Sequence, residues 1–146
     1  MKSNRYILIV GCGRLGSYLA NHLSREGNSV VIIDSNEETF GHLSPDFSGF
    51  CVGGDATQMN VLKEAKLDDA DILIATTHDD NINLMLAQVA MKIFGVSRVL
   101  ARVFDPEREE VYTRWGVDTI CPTSVAADLF LRAISSGADE EKGGRK

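Results

Sequence analysis

A glycine-rich run near the start of the chain has the composition of a phosphate-binding loop. It reads Gly11-Cys12-Gly13-Arg14-Leu15-Gly16, a G-x-G-x-x-G spacing. In such a run the first glycine allows a tight turn, the second lets the backbone approach a diphosphate, and the third lets a helix pack closely on a strand. The N–H groups at the start of that helix would hold the phosphates. The run predicts a nucleotide site, although a glycine turn without a ligand is the alternative.

A carboxylate follows the glycine run at the distance expected of a ribose-binding acid. Asp34 lies 18 residues after Gly16 (34 − 16) and ends an apolar run. A carboxylate there accepts hydrogen bonds from the ribose hydroxyls and repels a 2′-phosphate. We therefore expect NAD(H) or an adenine nucleotide (ATP, ADP or AMP) as ligand rather than NADP. Ser35 is a further candidate, and with Glu38 it also fits a capping box that opens a short helix.

Two side chains inside the glycine run could add chemistry of their own. Arg14 falls on the first helical turn, where a cation opposes the helix dipole. Its presence suggests contact with a further phosphate, whereas the alternative is an arginine that points into water. Cys12 lies beside a helix N-terminus, which could lower its pKa and make it a redox sensor. The alternative for Cys12 is a small apolar filler.

Strand-like apolar runs alternate with segments of helical period along the chain. The strand-like runs lie at 6–10, 29–33, 49–52, 71–75, 98–103 and 118–121. The helical patterns lie at 14–26, after Ser35, and at 57–65, 82–94, 106–115 and 124–135. This alternation predicts an α/β fold, a Rossmann-like doubly wound parallel sheet of six strands with helices on both faces.

The other candidate residues follow the carboxyl ends of the predicted strands, which meet at one edge of such a sheet. They are Asp55, Ala56 and Thr57 after the third strand, Thr76, Thr77 and His78 after the fourth, and Arg102 at the end of the fifth. Asp55 could instead cap the next helix, as could Thr77 together with Asp80. Arg102 needs an anion, which is either a phosphate or a carboxylate such as Asp79. We interpret His78 as a polar lining residue rather than a proton donor.

Length, charge and composition exclude several classes of protein. A chain of 146 residues suits one domain, and a net charge of −6 argues against nucleic acid and anionic membranes as partners. The apolar runs are far shorter than the roughly 20 residues of a membrane helix, so no direct insertion is expected. Three distant cysteines favour reduced thiols in a cytosol, and no Cys/His spacing resembles a metal site.

The C-terminal region predicts an interaction helix followed by a tail. The helix at 124–135 carries only Asp128 and Arg132 as charges, and a helix that is apolar all round is buried on more than one side. We expect one side to cover the domain's own sheet and the other to meet a second chain. The alternative is a helix tucked wholly into its own domain. We expect a nucleotide-binding domain over 6–135 and a charged, flexible tail over 136–146.

Together these motifs resemble a known family over about residues 6–134. The shared features are GCGRLG at 11–16, Asp34, GDAT at 54–57, ATTHDD at 75–80 with Asn83, ARV at 101–103, and GVD at 116–118. The set resembles the nucleotide-binding domain of the Trk/Ktr potassium-transport regulators, also called KTN or the N-terminal half of an RCK domain.

The resemblance implies a cytoplasmic regulatory subunit rather than an enzyme. It implies dimers or rings beneath a membrane potassium channel or transporter, with NAD(H), ATP, ADP or AMP as ligand. By the same resemblance residues 11–15 hold phosphates, and Arg14 faces the terminal phosphate of ATP. Asp34 matches the ribose-binding acid, whereas Asp55 and Thr57 match the loop beside the adenine. Thr77 and His78 match the pair near the ribose and phosphates, and Arg102 matches an arginine that reaches the phosphates.

The chain departs from the family pattern at two places. Thr123 stands where many relatives carry a glutamate that reads the nucleotide across a dimer, which puts an ATP/ADP switch in doubt. The C-terminal module usual in the family is also missing from the sequence. Two other functions stay open at this point, an NAD-dependent oxidoreductase and a redox-sensing nucleotide module unrelated to transport.

Overall fold

The structure, a computed structural model, describes residues 4–144, with side chains described as far as residue 137. Its centre is a parallel sheet of six strands in the order β3-β2-β1-β4-β5-β6. The strands are β1 Tyr6–Val10, β2 Ser29–Asp34, β3 Phe50–Gly53, β4 Ile72–Ala75, β5 Arg98–Arg102 and β6 Asp118–Ile120. The strand order reverses between β1 and β4, which is the switch point of a doubly wound sheet. The predicted fold class is confirmed.

Five α-helices and two 3₁₀ turns connect or follow the strands. The helices are α1 Arg14–Arg25, α2 Met59–Glu64, α3 Asp80–Lys92, α4 Pro106–Arg114 and α5 Pro122–Gly144. The 3₁₀ turns are Glu37–His42 and Leu67–Asp69. The crossover from β2 to β3 is therefore a 3₁₀ turn where a short helix was predicted.

The caps of two elements differ from the predicted ones. Asn36, not Ser35, caps the first 3₁₀ turn, because its side-chain oxygen accepts the Glu38 N–H. Asp79, not Thr77, caps α3 and accepts the N–H groups of Asn81 and Ile82. In each case a side chain one or two residues further along reaches the free N–H groups.

Two apolar clusters lie on the two faces of the sheet. On one face α1 packs over β1 and β2, around Ile7, Ile9 and Ile32. On the other face α2, α3 and α4 pack over the sheet, around Leu8, Leu73 and Leu86, among others. The central strands β1 and β2 are thus buried on both faces, as their continuous apolar runs predicted. The edge strand β3 is largely exposed.

The C-terminal helix α5 does not cover the sheet. The prediction that one side of this helix packs on the domain's own sheet is therefore wrong. All its described residues except Ser124 are exposed, including Leu129 at 58%, Phe130 at 70% and Ile134 at 66%. The alternative of a helix tucked into its own domain is therefore wrong. The helix also continues to Gly144, past residue 135 where it was expected to end. The division into a domain and a tail stays a prediction.

Within residues 4–144, the structure holds no helix with the length and apolar character needed to span a bilayer.

Candidate functional site

A pocket of about 300 Å³ opens at the carboxyl edge of the sheet, beside the switch point. Its wall combines the glycine loop with the ends of β2, β3 and β4. Ten of its lining residues were predicted from the sequence: Gly11, Gly13, Asp34, Ser35, Asp55, Ala56, Thr57, Thr76, Thr77 and His78. The topology brings these residues together because parallel strands end at the same edge.

Packing explains two of the three glycines in the loop. Gly11 has φ +103°, and a Cβ there would lie 2.8 Å from the Thr76 carbonyl oxygen. A Cβ at Gly16 would lie well inside contact distance of the Gly11 carbonyl oxygen. The Thr76 hydroxyl donates to the carbonyl oxygens of Val10 and Gly11, at 2.9 and 3.1 Å. The loop is thereby fastened to the end of β4.

Gly13 has no such structural explanation. Its φ of −83° is open to any residue, and a Cβ there would meet only the His78 ring, at 3.5 Å from Cε1. Both residues line the pocket. Gly13 therefore leaves free a space that the protein itself does not use. A backbone that must approach a phosphate closely needs such a space.

The start of α1 offers unused donors beside this space. The first helical hydrogen bond of α1 runs from the Ser17 N–H to the Gly13 carbonyl. The N–H groups of Arg14, Leu15 and Gly16 precede it and have no partner within the helix. The Arg14 side chain is exposed and makes no hydrogen bond or ion pair with any described side chain. The arrangement can receive an anion through the backbone, with Arg14 at its rim.

Backbone hydrogen bonds, one of them from the glycine loop, hold the Asp34 carboxylate in place. Its Oδ2 accepts the Cys12 N–H at 2.7 Å, and its Oδ1 accepts the Asn36 N–H at 2.8 Å. A carboxylate oxygen has a second lone-pair direction. Both oxygens therefore remain able to accept a ribose hydroxyl while the backbone fixes the carboxylate.

Asp55 and Thr57 form a turn at the opposite wall. The Asp55 Oδ1 accepts the Thr57 hydroxyl at 2.7 Å and the Thr57 N–H at 2.9 Å. These hydrogen bonds lower the pKa of Asp55. The buried Ala56 lies between them. Asp55 thus caps its own turn, and it also lines the pocket.

The Thr77 loop is fixed by the buried side chain of Asn83. The Asn83 Oδ1 accepts the Thr77 hydroxyl at 2.7 Å and the Thr77 N–H at 2.9 Å. Its Nδ2 donates to the carbonyl oxygens of Thr77 and Arg102, both at 3.0 Å. One amide therefore joins the ends of β4 and β5.

Arg102 does not line the pocket, and its partners differ from those expected. Its Nη2 donates to the carbonyl oxygens of Thr76 and Thr77, at 2.6 and 3.1 Å. Its guanidinium carbon lies 4.5 Å from the centroid of the Phe104 ring. The Asp79 carboxylate caps α3 instead of pairing with Arg102. Burial lowers the pKa of Arg102, and the Asp80 charge acts in the opposite direction.

Cys12 lies behind the loop, and the expectation of a lowered pKa is wrong. Its side chain is fully buried among Ile9, Ala20 and Ile32. Its Sγ donates to the Thr39 carbonyl oxygen at 3.4 Å. Burial raises the pKa of the thiol to about 11. The alternative interpretation, a small apolar filler, fits this environment, which gives a redox-sensing role no support.

Five lining residues were not predicted as site residues, namely Val10, Ile33, Thr39, Gly54 and Ile82. Thr39 lies on the first 3₁₀ turn, where no spacing marks it. Ile82 is the first residue of the helical pattern predicted at 82–94. Only the folding of these segments against the loop reveals their place in the wall.

Similarity to known proteins extends over most of the chain. The TrkA-N domain model matches residues 7–123. The Trk system potassium uptake protein TrkA of Streptomyces coelicolor is 40% identical over 135 residues, covering 92% of this chain and 60% of that protein. A homologue from Methanothermobacter thermautotrophicus is 30% identical and is likewise covered over 60% of its length. The chain thus spans about three fifths of these relatives.

Solved structures show the same fold. The GsuK channel bound to NAD superposes with a TM-score of 0.78 at 28% identity, covering 92% of this chain and 24% of that one. GsuK bound to ADP gives a TM-score of 0.73 at 30% identity, covering 86% of this chain and 32% of that one. With a family model that covers most of its length, the chain belongs to the TrkA-N domain family.

Proposed function

We propose that this chain is the nucleotide-binding part of a regulatory protein of potassium uptake, and that it senses NAD(H) or an adenine nucleotide such as ATP, ADP or AMP. The proposal rests on Gly13. Neither its backbone conformation nor the packing around it requires a glycine, and the absence of a side chain there leaves space in the pocket. The names of the relatives supply the biological context, potassium uptake.

We propose that different polar groups of the pocket bind different parts of the ligand. The ribose hydroxyls bind the Asp34 carboxylate, and the phosphates bind the N–H groups at the start of α1, with Arg14 beside them. The base lies between Asp55, Ala56 and Thr57. A 2′-phosphate would face the Asp34 charge directly, so NADP is disfavoured.

Thermal unfolding with AMP, ADP, ATP, NAD, NADH and NADPH in turn tests this proposal. A ligand that binds only the folded state raises the free energy of unfolding by about 2.7 kcal/mol when its concentration is 100 times its Kd. We expect a rise in Tm with one or more adenine nucleotides and none with NADPH. Asp34→Asn, which keeps an oxygen acceptor, should abolish the shift. The matched control Asp68→Asn, at an exposed carboxylate beyond the pocket, should keep it.

The absence of any shift in the unsubstituted protein would contradict the proposal. A shift that survives in Asp34→Asn would contradict the assignment of the ribose.

The second part of the proposal is self-association through α5 into a dimer or larger ring. On the α1 face, the strands β4 and β5 leave Ile72, Ile74 and Leu100 around a groove of about 270 Å³. The helix α5 exposes large apolar side chains of its own. Exposed apolar surfaces of this kind mark interaction sites. We propose that α5 of one chain covers this face of another.

Sedimentation of the full chain tests the association. Leu129→Glu should convert the dimer or ring into a monomer, because it puts a charge in the apolar contact. Asp128→Asn on the same helix is the control and should leave the mass unchanged. A monomeric unsubstituted protein, or a Leu129→Glu variant of unchanged mass, would contradict the proposal.

The third part of the proposal concerns the partner. A nucleotide that prefers one arrangement of the dimer shifts the equilibrium between two arrangements by its difference in affinity. That shift would reach a membrane potassium channel or transporter to which the chain binds at the cytoplasmic face. Co-purification with such a subunit, changed by the nucleotide that raises Tm, is the expected result. Failure to bind any potassium-transport subunit would contradict this part alone.

A further inference from the structure

The pocket covers the carboxyl edge of the sheet from the end of β3 to the end of β4, just past the switch point between β1 and β4. Its lining residues all come from β1 to β4 and the segments that follow these strands. A dinucleotide in a doubly wound sheet lies across the switch point and places its second nucleoside over the other half. The part of that half that the pocket does not reach lies over β5 and β6.

A stack of three side chains stands at the entrance to the second half. The His78 and Phe104 rings are nearly parallel, with an angle of 13° and centroids 6.1 Å apart. The Arg102 guanidinium lies against the Phe104 ring, 4.5 Å from its centroid. We call this set the His78–Phe104–Arg102 stack. It links the loop after β4 to the end of β5.

Hydrogen bonds fix the stack from both sides. Arg102 is held by the carbonyl oxygens of Thr76 and Thr77. The backbone N–H groups of Phe104 and Asp105 donate to the Asp80 carboxylate at 2.8 and 3.1 Å. The arginine is therefore anchored to the segment after β4, and the segment that carries Phe104 is anchored to the start of α3.

His78 brings the stack up to the glycine loop. Its Cε1 would lie 3.5 Å from a Cβ on Gly13, so the ring stands close to the loop at the switch point. His78 is the member of the stack that also lines the pocket. The ring therefore stands between the pocket and Phe104, which follows β5.

We infer that the His78–Phe104–Arg102 stack makes the site selective for an adenine mononucleotide over a dinucleotide. The inference rests on the proposed function, since it takes the pocket as the nucleotide site. A mononucleotide fills the open half and leaves the stack intact. A dinucleotide must lift the His78 ring off Phe104 before its second nucleoside can cross. Among the structural neighbours, GsuK occurs with ADP and with NAD, so the fold alone does not decide the choice.

Calorimetric titration of the full chain with AMP, ADP and NAD tests the inference. We compare the unsubstituted protein with Phe104→Ala, which removes the platform for His78. The matched control is Phe50→Ala, at an exposed phenylalanine on the edge strand β3. Thermal unfolding of each variant verifies that it is folded.

The expected result is a change in the ratio of the NAD and AMP dissociation constants. In the unsubstituted protein and in Phe50→Ala, AMP should bind more tightly than NAD. In Phe104→Ala the affinity for NAD should rise about tenfold, as expected when the dinucleotide no longer has to break one aromatic stack. The affinity for AMP should stay within about twofold of the unsubstituted protein.

The outcomes separate the inference from the proposed function. If the unsubstituted protein binds neither AMP nor NAD, the nucleotide site itself is wrong and the inference falls with it. If AMP binds and NAD binds as tightly or more tightly, the inference alone is overturned. If the ratio is the same in Phe104→Ala, the stack is not the cause of the selectivity. A Phe104→Ala chain that fails to fold is replaced by Phe104→Leu, which keeps volume and loses the aromatic stack.

Discussion

The two halves of the sheet edge treat their polar groups in opposite ways. Over β1, β2 and β3 the protein leaves N–H groups and carboxylate lone pairs unused, at the start of α1 and on Asp34. Over β4 and β5 it pairs most of them itself, through Asn83, Arg102 and Asp80, although the buried Nε of Arg102 has no partner among the described residues. Buried polar groups need partners, and these partners are a ligand or the protein. The polar groups over β1, β2 and β3 are therefore available to a ligand, whereas most of those over β4 and β5 stabilise the fold.

The largest effect is expected where the first half is packed most tightly. In Gly16→Ala the new methyl group collides with the Gly11 carbonyl oxygen, which is backbone and cannot move aside. We expect the free energy of unfolding to fall by about 3 kcal/mol, measured by urea denaturation. Gly41→Ala is the control, because nothing lies within 4 Å of its Cβ. Equal stabilities in the two variants would show that the loop is not closely packed.

The second half should depend on hydrogen bonds instead. Asn83→Leu keeps the volume but removes the partners of the Thr77 N–H and the Arg102 carbonyl. Because these groups would stay buried, we expect a loss of about 2–3 kcal/mol in urea denaturation. The control Asn81→Leu removes one exposed hydrogen bond to Arg108 and should cost under about 1 kcal/mol. Similar losses at both positions would remove the distinction between the halves.

Stability measured at alkaline pH tests the burial of Cys12 in the glycine loop of the first half. The folded state holds the Cys12 proton to a pKa of about 11, against an ordinary value of 9.0. As the pH rises, the thiol ionises in the unfolded chain before it ionises in the folded protein. The contribution of Cys12 to the free energy of unfolding is therefore complete below pH 9 and is lost as the pH rises towards 11. We expect the free energy of unfolding to fall by about 2 kcal/mol over that interval from this group. In Cys12→Ala the fall should be correspondingly smaller.

Tyrosines also have raised pKa values, so the slopes of the two proteins are compared rather than their absolute stabilities. An identical slope with and without the thiol would contradict the assignment to Cys12.

The smallest effect concerns one hydroxyl that supports the second half. The buried Tyr112 donates to the Asp80 carbonyl oxygen at 2.6 Å. Tyr112→Phe should lower the free energy of unfolding by about 1 kcal/mol. Tyr18→Phe, at a tyrosine that is 69% exposed, should change nothing measurable. Thermal unfolding of the two variants, side by side, distinguishes a structural hydroxyl from a solvated one.

The central elements could be predicted because their pattern is local. The strand Tyr6–Val10 has the predicted boundaries, since burial on both faces demands a continuous apolar run, and α1 begins at the predicted Arg14 and ends one residue before the predicted end. The Asp105 cap with Pro106 at the first helical position is also confirmed. Local chemistry was less decisive after β2, where Asn36 rather than Ser35 caps a 3₁₀ turn.

The environment of single polar residues could not be predicted in the same way. From the sequence we predicted that Arg102 pairs with an anion. In the structure its guanidinium contacts two carbonyl oxygens and an aromatic ring instead. The sequence placed Cys12 beside a helix N-terminus, and the fold buried the thiol. It also expected α5 to cover the sheet, whereas the helix is exposed. Each outcome depends on neighbours that are distant in the chain.

By itself the sequence determined the order of strands and helices, the glycine loop and the acid 18 residues beyond Gly16 (34 − 16). These follow from apolar periodicity and from spacing, which are properties of short segments. Only the tertiary structure decided which polar groups stay free for a ligand. The Thr76 hydroxyl, for example, is used by the Val10 carbonyl, 66 residues away. Hydrogen-bond partners of that kind are chosen by the packing of the sheet, and spacing in the sequence does not record them.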